Sequence, residues 1–151
     1  MEETSIIRIL IVDDERPALD ALTHLSQSLG YEVIPFEDPT EALKNYQKWA
    51  PDVVLMDIAM PGMNGILATR SIREQYPNTY ILVLTTYSAD EWVFDAIRAG
   101  ASGYLLKDTR REELLAAIKG TARGESFLGP AVAGAVMRQA IASPAEPPAP
   151  E

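Results

Sequence analysis

The chain has 151 residues, no cysteine and a formal net charge of −9, from 22 acidic against 13 basic side chains. That length suits one domain and can bury a core without cross-links, while the missing cysteine excludes disulfides, thiolate metal sites and a cysteine nucleophile. The acidic excess argues against these residues neutralising nucleic-acid phosphates, and no apolar run approaches the roughly 20 residues of a spanning helix. The N-terminus, "MEETSIIRIL", lacks the basic start and long apolar stretch of an export signal, so the chain is expected to be soluble, cytoplasmic and free of membranes.

In chain order, "IIRILIV" (Ile6 to Val12) is a near-continuous apolar run that ends in three acids, Asp13, Asp14 and Glu15. Leu19, Leu22, Leu25 and Leu29 then recur at helical spacing, with Gly30 as a stop. "YEVIP" predicts a second strand, and Asp38 or Thr40 a cap for a helix carrying Ala42, Leu43, Tyr46 and Trp49. "DVVLMD" predicts the third strand, Asn64 the cap of a third helix, and "YILVLT" the fourth strand. Ser88 is the expected cap of a helix bearing Trp92, Val93, Ala96 and Ile97, closed by Gly100. "GYLLK" predicts the fifth strand, and Thr109 with Glu112 forms a capping-box pattern before a helix through Leu114, Leu115 and Ile118. "GPAVAGAVMRQAIA" can form one more helix, weakened by Gly134, and the closing nine residues hold four prolines, an extended linker with nothing to pack.

Strand and helix therefore alternate about five times, and the strands are continuously rather than alternately apolar. Such strands are covered on both faces, which gives a parallel sheet, an α/β fold and right-handed crossovers. In open parallel sheets, functional groups gather at the carboxyl ends of the strands. Those ends carry Asp13, Asp14 and Glu15 after the first strand, Asp57 after the third, Thr85 after the fourth and Lys107 after the fifth.

Taken singly, each has an ordinary reading. Asp13 and Asp14 suit a helix N-terminus, Thr85 a strand end, Lys107 a solvated surface and Tyr104 the core. His24 lies among the leucines of the first helix and reads as structural. Together they suggest a site. Two carboxylates about 4 Å apart repel by ~4 kcal/mol at an effective dielectric near 20, so clustered acids need a cation, and hard oxygen ligands suit Mg²⁺. Asp57 could then stay ionised and act as an oxygen nucleophile toward phosphorus, with Mg²⁺, the Lys107 ammonium and the Thr85 hydroxyl each taking an equatorial oxygen.

Four segments, "ILIVDDE", "PDVVLMDIAMPGMNG", "ILVLTT" and "RAGASGYLLKD", together resemble a response-regulator receiver domain of the CheY-like superfamily, within it the NarL/FixJ (LuxR-type) branch. The resemblance spans Ile9 to Asp108. It implies a flavodoxin-like, doubly wound five-stranded parallel sheet in the order 2-1-3-4-5, flanked by five helices. It implies Asp57 as phosphoacceptor, Asp14 as a direct Mg²⁺ ligand, Asp13 as one acting through water, and the Ala59 carbonyl as a further ligand, with Mn²⁺ as a substitute ion. Thr85 and Tyr104 match the family's switch pair, and Lys107 its phosphate-binding lysine. Ala59 and Tyr87 fall where receivers tune phosphoryl lifetime, and the expectation is slow autodephosphorylation. The implied partners are a sensor histidine kinase as donor and a second copy after phosphorylation; the switch reshapes the face of the fourth helix, fifth strand and fifth helix, through which receivers commonly dimerise, though NarL-like members also use other helices. DNA enters only through a C-terminal helix-turn-helix domain that this sequence does not contain.

On this reading residues 1–126 are the receiver, 127–142 an additional or linker helix and 143–151 a linker, and the chain is a signalling phosphoacceptor rather than an enzyme. The alternative is a receiver that stands alone as an interaction or phosphorelay module. A flavin or nucleotide binder of the same fold would place glycines where "DDERP" places acids. An aspartate-nucleophile hydrolase would carry a second acid where Ala59 stands, and a pseudo-receiver would have lost one of the acids or the lysine. One departure is Asp108 after Lys107, where many receivers have proline with a cis bond; without proline the cis form costs ~2.5–4 kcal/mol.

Overall fold

The computed structural model describes residues 6–58, 65–86 and 90–142. Five strands, β1 (Arg8–Val12), β2 (Glu32–Phe36), β3 (Val53–Met56), β4 (Tyr80–Thr85) and β5 (Gly103–Leu106), form one parallel sheet in the order β2-β1-β3-β4-β5. Between them run α1 (Arg16–Ser28), α2 (Pro39–Trp49), α3 (Gly65–Gln75) and α4 (Asp90–Ala99), followed by α5 (Arg111–Ala122) and α6 (Pro130–Ala142).

Alternate strand residues feed opposite faces. Ile9, Ile11, Val53, Leu55, Leu82, Leu84 and Leu105 pack against Leu19 and Leu22 of α1 and Ala117 and Ile118 of α5. Leu10, Val12, Val54, Met56 and Ile81 meet Ala42 and Tyr46 of α2 and Ala68 and Ile72 of α3. A third cluster joins Ile58, Ile66, Val83 and Tyr104 to Val93 and Ala96 of α4 and Val132 and Ala135 of α6. Each large side chain so buried contributes about 1.5–3 kcal/mol relative to exposure, which is why the continuous apolar runs become the interior strands.

The helix ends follow local chemistry, with one departure. Asp38 caps α2 by accepting from the Thr40 amide at 2.8 Å. Gly30 and Gly100 both take positive φ where α1 and α4 end. The capping box expected at Thr109 does not form. Arg110 is the N-cap of α5 without a side-chain cap bond, because the Thr109 amide is used in a turn onto the Leu106 carbonyl. The expected caps Asn64 and Ser88 lie outside the described residues.

Near the amino ends of the strands Tyr46, Thr79 and Arg73 are hydrogen-bonded. Tyr46 hydrogen-bonds Thr79 and stacks on Tyr76 at 4.2 Å between ring centroids. Arg73 of α3 donates to the Gly100 carbonyl from Nε and Nη2 at 3.1 and 2.7 Å, and to the Pro77 carbonyl from Nη1 at 2.6 Å, which ties α3 to the end of α4.

The two sheet edges are treated differently. β2 is half-exposed and carries Pro35, a residue suited to an edge because it offers no N–H there. The outer edge of β5 is covered by a strap, the stretch between α5 and α6. The Tyr104 amide donates to the Phe127 carbonyl at 2.8 Å, and the Gly129 amide donates to the Tyr104 carbonyl at 3.3 Å. A Cβ on Gly103 would strike the Phe127 backbone, and one on Gly120 would strike its ring. Phe127 therefore sits in a seat that two glycines from different elements leave open, and from it the chain turns to lay α6 on α4.

Candidate functional site

The sheet extends its hydrogen bonding just past β1 and β3. The Asp13 amide donates to the Phe36 carbonyl at 3.1 Å and the Asp57 amide to the Val12 carbonyl at 3.0 Å. Both carboxylates are thereby fixed at the same edge, with Asp13 and Asp57 almost fully buried. Asp14 joins them from a more open position, and one oxygen of each of the three lies within 4.8 Å of the others. At such separations two carboxylates repel by about 3–4 kcal/mol at an effective dielectric near 20.

Lys107 answers part of this charge. Its Nζ stands 2.7 Å from Asp13 Oδ2 and 3.3 Å from Asp57 Oδ2, with the lysine head only 15% exposed. The stem runs along an apolar cavity of about 140 Å³ lined by Ala18, Leu22, Leu84 and Leu114, between α1 and α5. Burial acts to lower the Lys107 pKa, but the bond to Asp13 and the charge of Asp57 outweigh it and hold the ammonium above its ordinary value. Burial pushes the Asp13 carboxyl up, against the opposing pull of Lys107 and of the Glu15 amide, which donates to Asp13 Oδ1 at 2.9 Å. Asp13 thus also holds the turn into α1, the ordinary reading of an acid at that position. Three carboxylates against one ammonium leave the cluster short of positive charge, and three hard oxygen donors can hold a metal ion.

Thr85 is fully buried at the end of β4, and its carbonyl accepts from the Lys107 amide at 2.8 Å, which joins two of the expected residues through the backbone. Tyr104 is fully buried in the cluster shared with α4 and α6. Burial, and after it the charge of Asp57, pushes its phenol well above the usual tyrosine value. The Lys107–Asp108 bond is trans, since no cis bond occurs among the described residues. Ala59 and Tyr87, expected as carbonyl ligand and lifetime residues, lie outside the described residues.

Two expectations change. The face of α4 and β5, expected to be reshaped on phosphorylation, carries α6: Val93 is buried, and Trp92 and Ile97 are half-buried beside Val132 and Ala135. His24 is exposed, because the buried stripe of α1 runs through Leu19, Leu22 and Ser26 instead.

Gly65 is the first residue of α3. Its amide donates to the Ile58 carbonyl at 3.0 Å, and any Cβ there would collide with the Asp57 carbonyl. Only glycine lets α3 begin this close to the Asp57 backbone. The strap was missed. Its one sequence sign is the apolar pair Phe127 and Leu128 between Ser126 and Gly129, too short to carry a periodicity.

Comparison with known proteins agrees with this geometry. The chain is 38% identical over 144 residues to the uncharacterized transcriptional regulatory protein YxjL of Bacillus subtilis (strain 168), covering 88% of this chain and 62% of that one. It is 37% identical over 128 residues to the transcriptional regulatory protein DegU of Brevibacillus brevis, covering 83% and 54% respectively. The chain thus spans a little over half the length of these relatives. A LuxR-family two-component response regulator from Aurantimonas sp. SI85-9A1 superposes with a TM-score of 0.83 at 33% identity, over 91% of this chain and 99% of that one. Residues 9–119 match the response regulator receiver domain family, and with the 2-1-3-4-5 sheet and the acid–lysine cluster at its edge, the chain belongs to that family as a signalling receiver of a two-component system.

Proposed function

We propose that Asp57 is the phosphoacceptor, taking a phosphoryl group from a phosphohistidine of a sensor kinase. The observation that carries this is the convergence on Asp57 of two further carboxylates within 4.8 Å and an ammonium at 3.3 Å, all at the carboxyl edge of the sheet. One Asp57 oxygen attacks phosphorus as the N–P bond breaks, and the departing imidazole nitrogen keeps the electron pair and takes a proton from solvent. Lys107 balances the charge gathering on one peripheral oxygen and the Thr85 hydroxyl donates to another, which lowers the barrier by fixed electrostatics.

Mg²⁺ fits the donor set of Asp13, Asp14 and Asp57, with the Ala59 carbonyl as a further ligand. When bound it supplies positive charge to the phosphoryl oxygens and lets the three acids remain ionised. Loss of the phosphoryl group by hydrolysis uses the same site, and a small Ala59 with a shielding Tyr87 makes that loss slow. A wild type that loses phosphate faster than Tyr87→Ala contradicts this.

The wider role follows from the relatives, which are named as transcriptional regulators. This receiver controls DNA binding by another domain, pairs with a second copy when phosphorylated, and works in the cytoplasm. No helix among the described residues is long and apolar enough to cross a membrane. The test is labelling with radioactive acetyl phosphate and Mg²⁺. Wild type takes up label and Asp57→Asn does not; label persisting on Asp57→Asn refutes the assignment.

A further inference from the structure

The strap and α6 cover the face that a receiver is expected to reshape, and Tyr104 is where strap, helix and phosphoacceptor meet. Its amide and carbonyl are both bonded to the strap, at Phe127 and Gly129. Its side chain shares a closed cluster with Ile58 and Val83 from the site's own strands, with Val93 and Ala96 of α4, and with Val132 and Ala135 of α6. The phenol also lies near enough to Asp57 to feel its charge. One residue therefore touches the field of the phosphoacceptor, the strap and the cluster that buries one side of α6.

α6 packs mainly on α4. Val132 and Ala135 are buried and Val136 is half-buried, but Met137 and Ile141 are 65% and 79% exposed. Beside the first turn of α6 lies an open groove lined by Leu106, Asp108, Glu113 and Val132 among others. The firm anchor is Phe127 in its glycine seat. A close-packed interior passes a side-chain displacement on as a discrete repacking rather than a graded one.

We propose that α6 is an internal latch: it closes over the α4–β5 face while Asp57 is unmodified, and a phosphoryl group on Asp57 releases it through Tyr104. The latch rests on Asp57 being the phosphoacceptor. A phosphoryl group brings a charge of about −1.5 to −2 and new acceptor oxygens. The Thr85 hydroxyl turns toward those oxygens, and the Tyr104 ring leaves its place in the cluster. Val132 and Ala135 then lose the partner they pack on, and movement of the Tyr104 backbone breaks both strap bonds. The closed form masks Val93 and Ala96 and holds α6 against its own receiver; the open form exposes that face and frees the helix.

The chain has no cysteine, so Glu91→Cys on α4 and Met137→Cys on α6, both exposed, allow paired spin labels on the full chain. Pulsed dipolar spectroscopy should give one narrow distance in Mg²⁺ alone. With beryllofluoride added as phosphoryl mimic, the main population should lengthen by about 10 Å, one helix diameter. Phe127→Ala in the labelled chain should give the long distance without beryllofluoride. Fluorine NMR of the same samples reports whether beryllofluoride has loaded. Loading with an unchanged or shorter distance overturns the latch and leaves the phosphoacceptor assignment standing, whereas failure to load overturns both. An unchanged distance in Phe127→Ala also overturns it.

Discussion

The carboxyl ends of the strands bring together Asp13, Asp14 and Asp57 with Lys107, while the amino ends bring together Tyr46, Thr79, Tyr76 and Arg73. Both groups are partly buried and polar, but their energetics are opposite. At the amino ends the Tyr46 hydroxyl is bonded to Thr79, and Arg73 satisfies two carbonyls at once. At the carboxyl ends like charges are held together by the backbone against their repulsion, with one ammonium among three acids. The first arrangement stabilises the fold, and the second holds unfavourable like-charge energy of the kind a bound cation relieves. Substitutions at the two ends should therefore trade stability against chemistry in opposite directions.

The sharpest break is Asp57→Asn. It should abolish labelling by acetyl phosphate yet raise stability by about 1 kcal/mol in chelator-treated buffer, since repulsion from two neighbours is relieved while Lys107 keeps Asp13. Paired labelling and urea unfolding measure both, and a destabilised variant would contradict the comparison. Lys107→Met should cost about 3 kcal/mol at pH 7, because it leaves buried Asp13 without its cation, and should cut labelling at least about tenfold. Added Mg²⁺ should restore much of that stability in thermal melts but not the labelling.

At the other end, Arg73→Ala should cost about 2 kcal/mol through lost bonds to the Gly100 and Pro77 carbonyls and leave labelling intact. Tyr46→Phe should cost about 1 kcal/mol at neutral pH, again without loss of labelling. Burial raises the Tyr46 pKa above its ordinary value of 10.0, so the folded state keeps the proton longer than the unfolded chain. Wild-type stability should then fall as pH rises through and beyond 10, a loss the phenylalanine variant escapes. The gap between the two should narrow there, and denaturant melts on both sides of pH 10 would expose a gap that stays constant.

How much of this was legible in the sequence depended on range. Apolar runs such as "YILVLT" fixed the strands, since burial on both faces demands them, and the polar residue closing each run marked the edge where Asp13, Asp57, Thr85 and Lys107 meet. The pairing of Lys107 more closely with Asp13 than with Asp57 was not legible, because 0.6 Å of difference between 2.7 and 3.3 Å depends on backbone placement. The capping box at Thr109 misled because its amide was already used in a turn. The cover on α4 and β5 was invisible for a different reason. It depends on Gly103, Gly120 and Phe127, which lie far apart in sequence and carry no shared pattern, so only their meeting in space gives them meaning.

That glycine seat also governs where the chain can be shortened. A fragment ending at residue 126 would keep the phosphorylation chemistry but strip β5 of its neighbour, leaving a row of free backbone groups on a flat strand beside the bared apolar side of α4. Such a fragment would invite pairing with other strands, and precipitation or dimers arising from the cut itself could be mistaken for signalling dimers. The smallest faithful version of this receiver keeps Val132, Ala135 and Val136, the residues of α6 packed in the shared cluster.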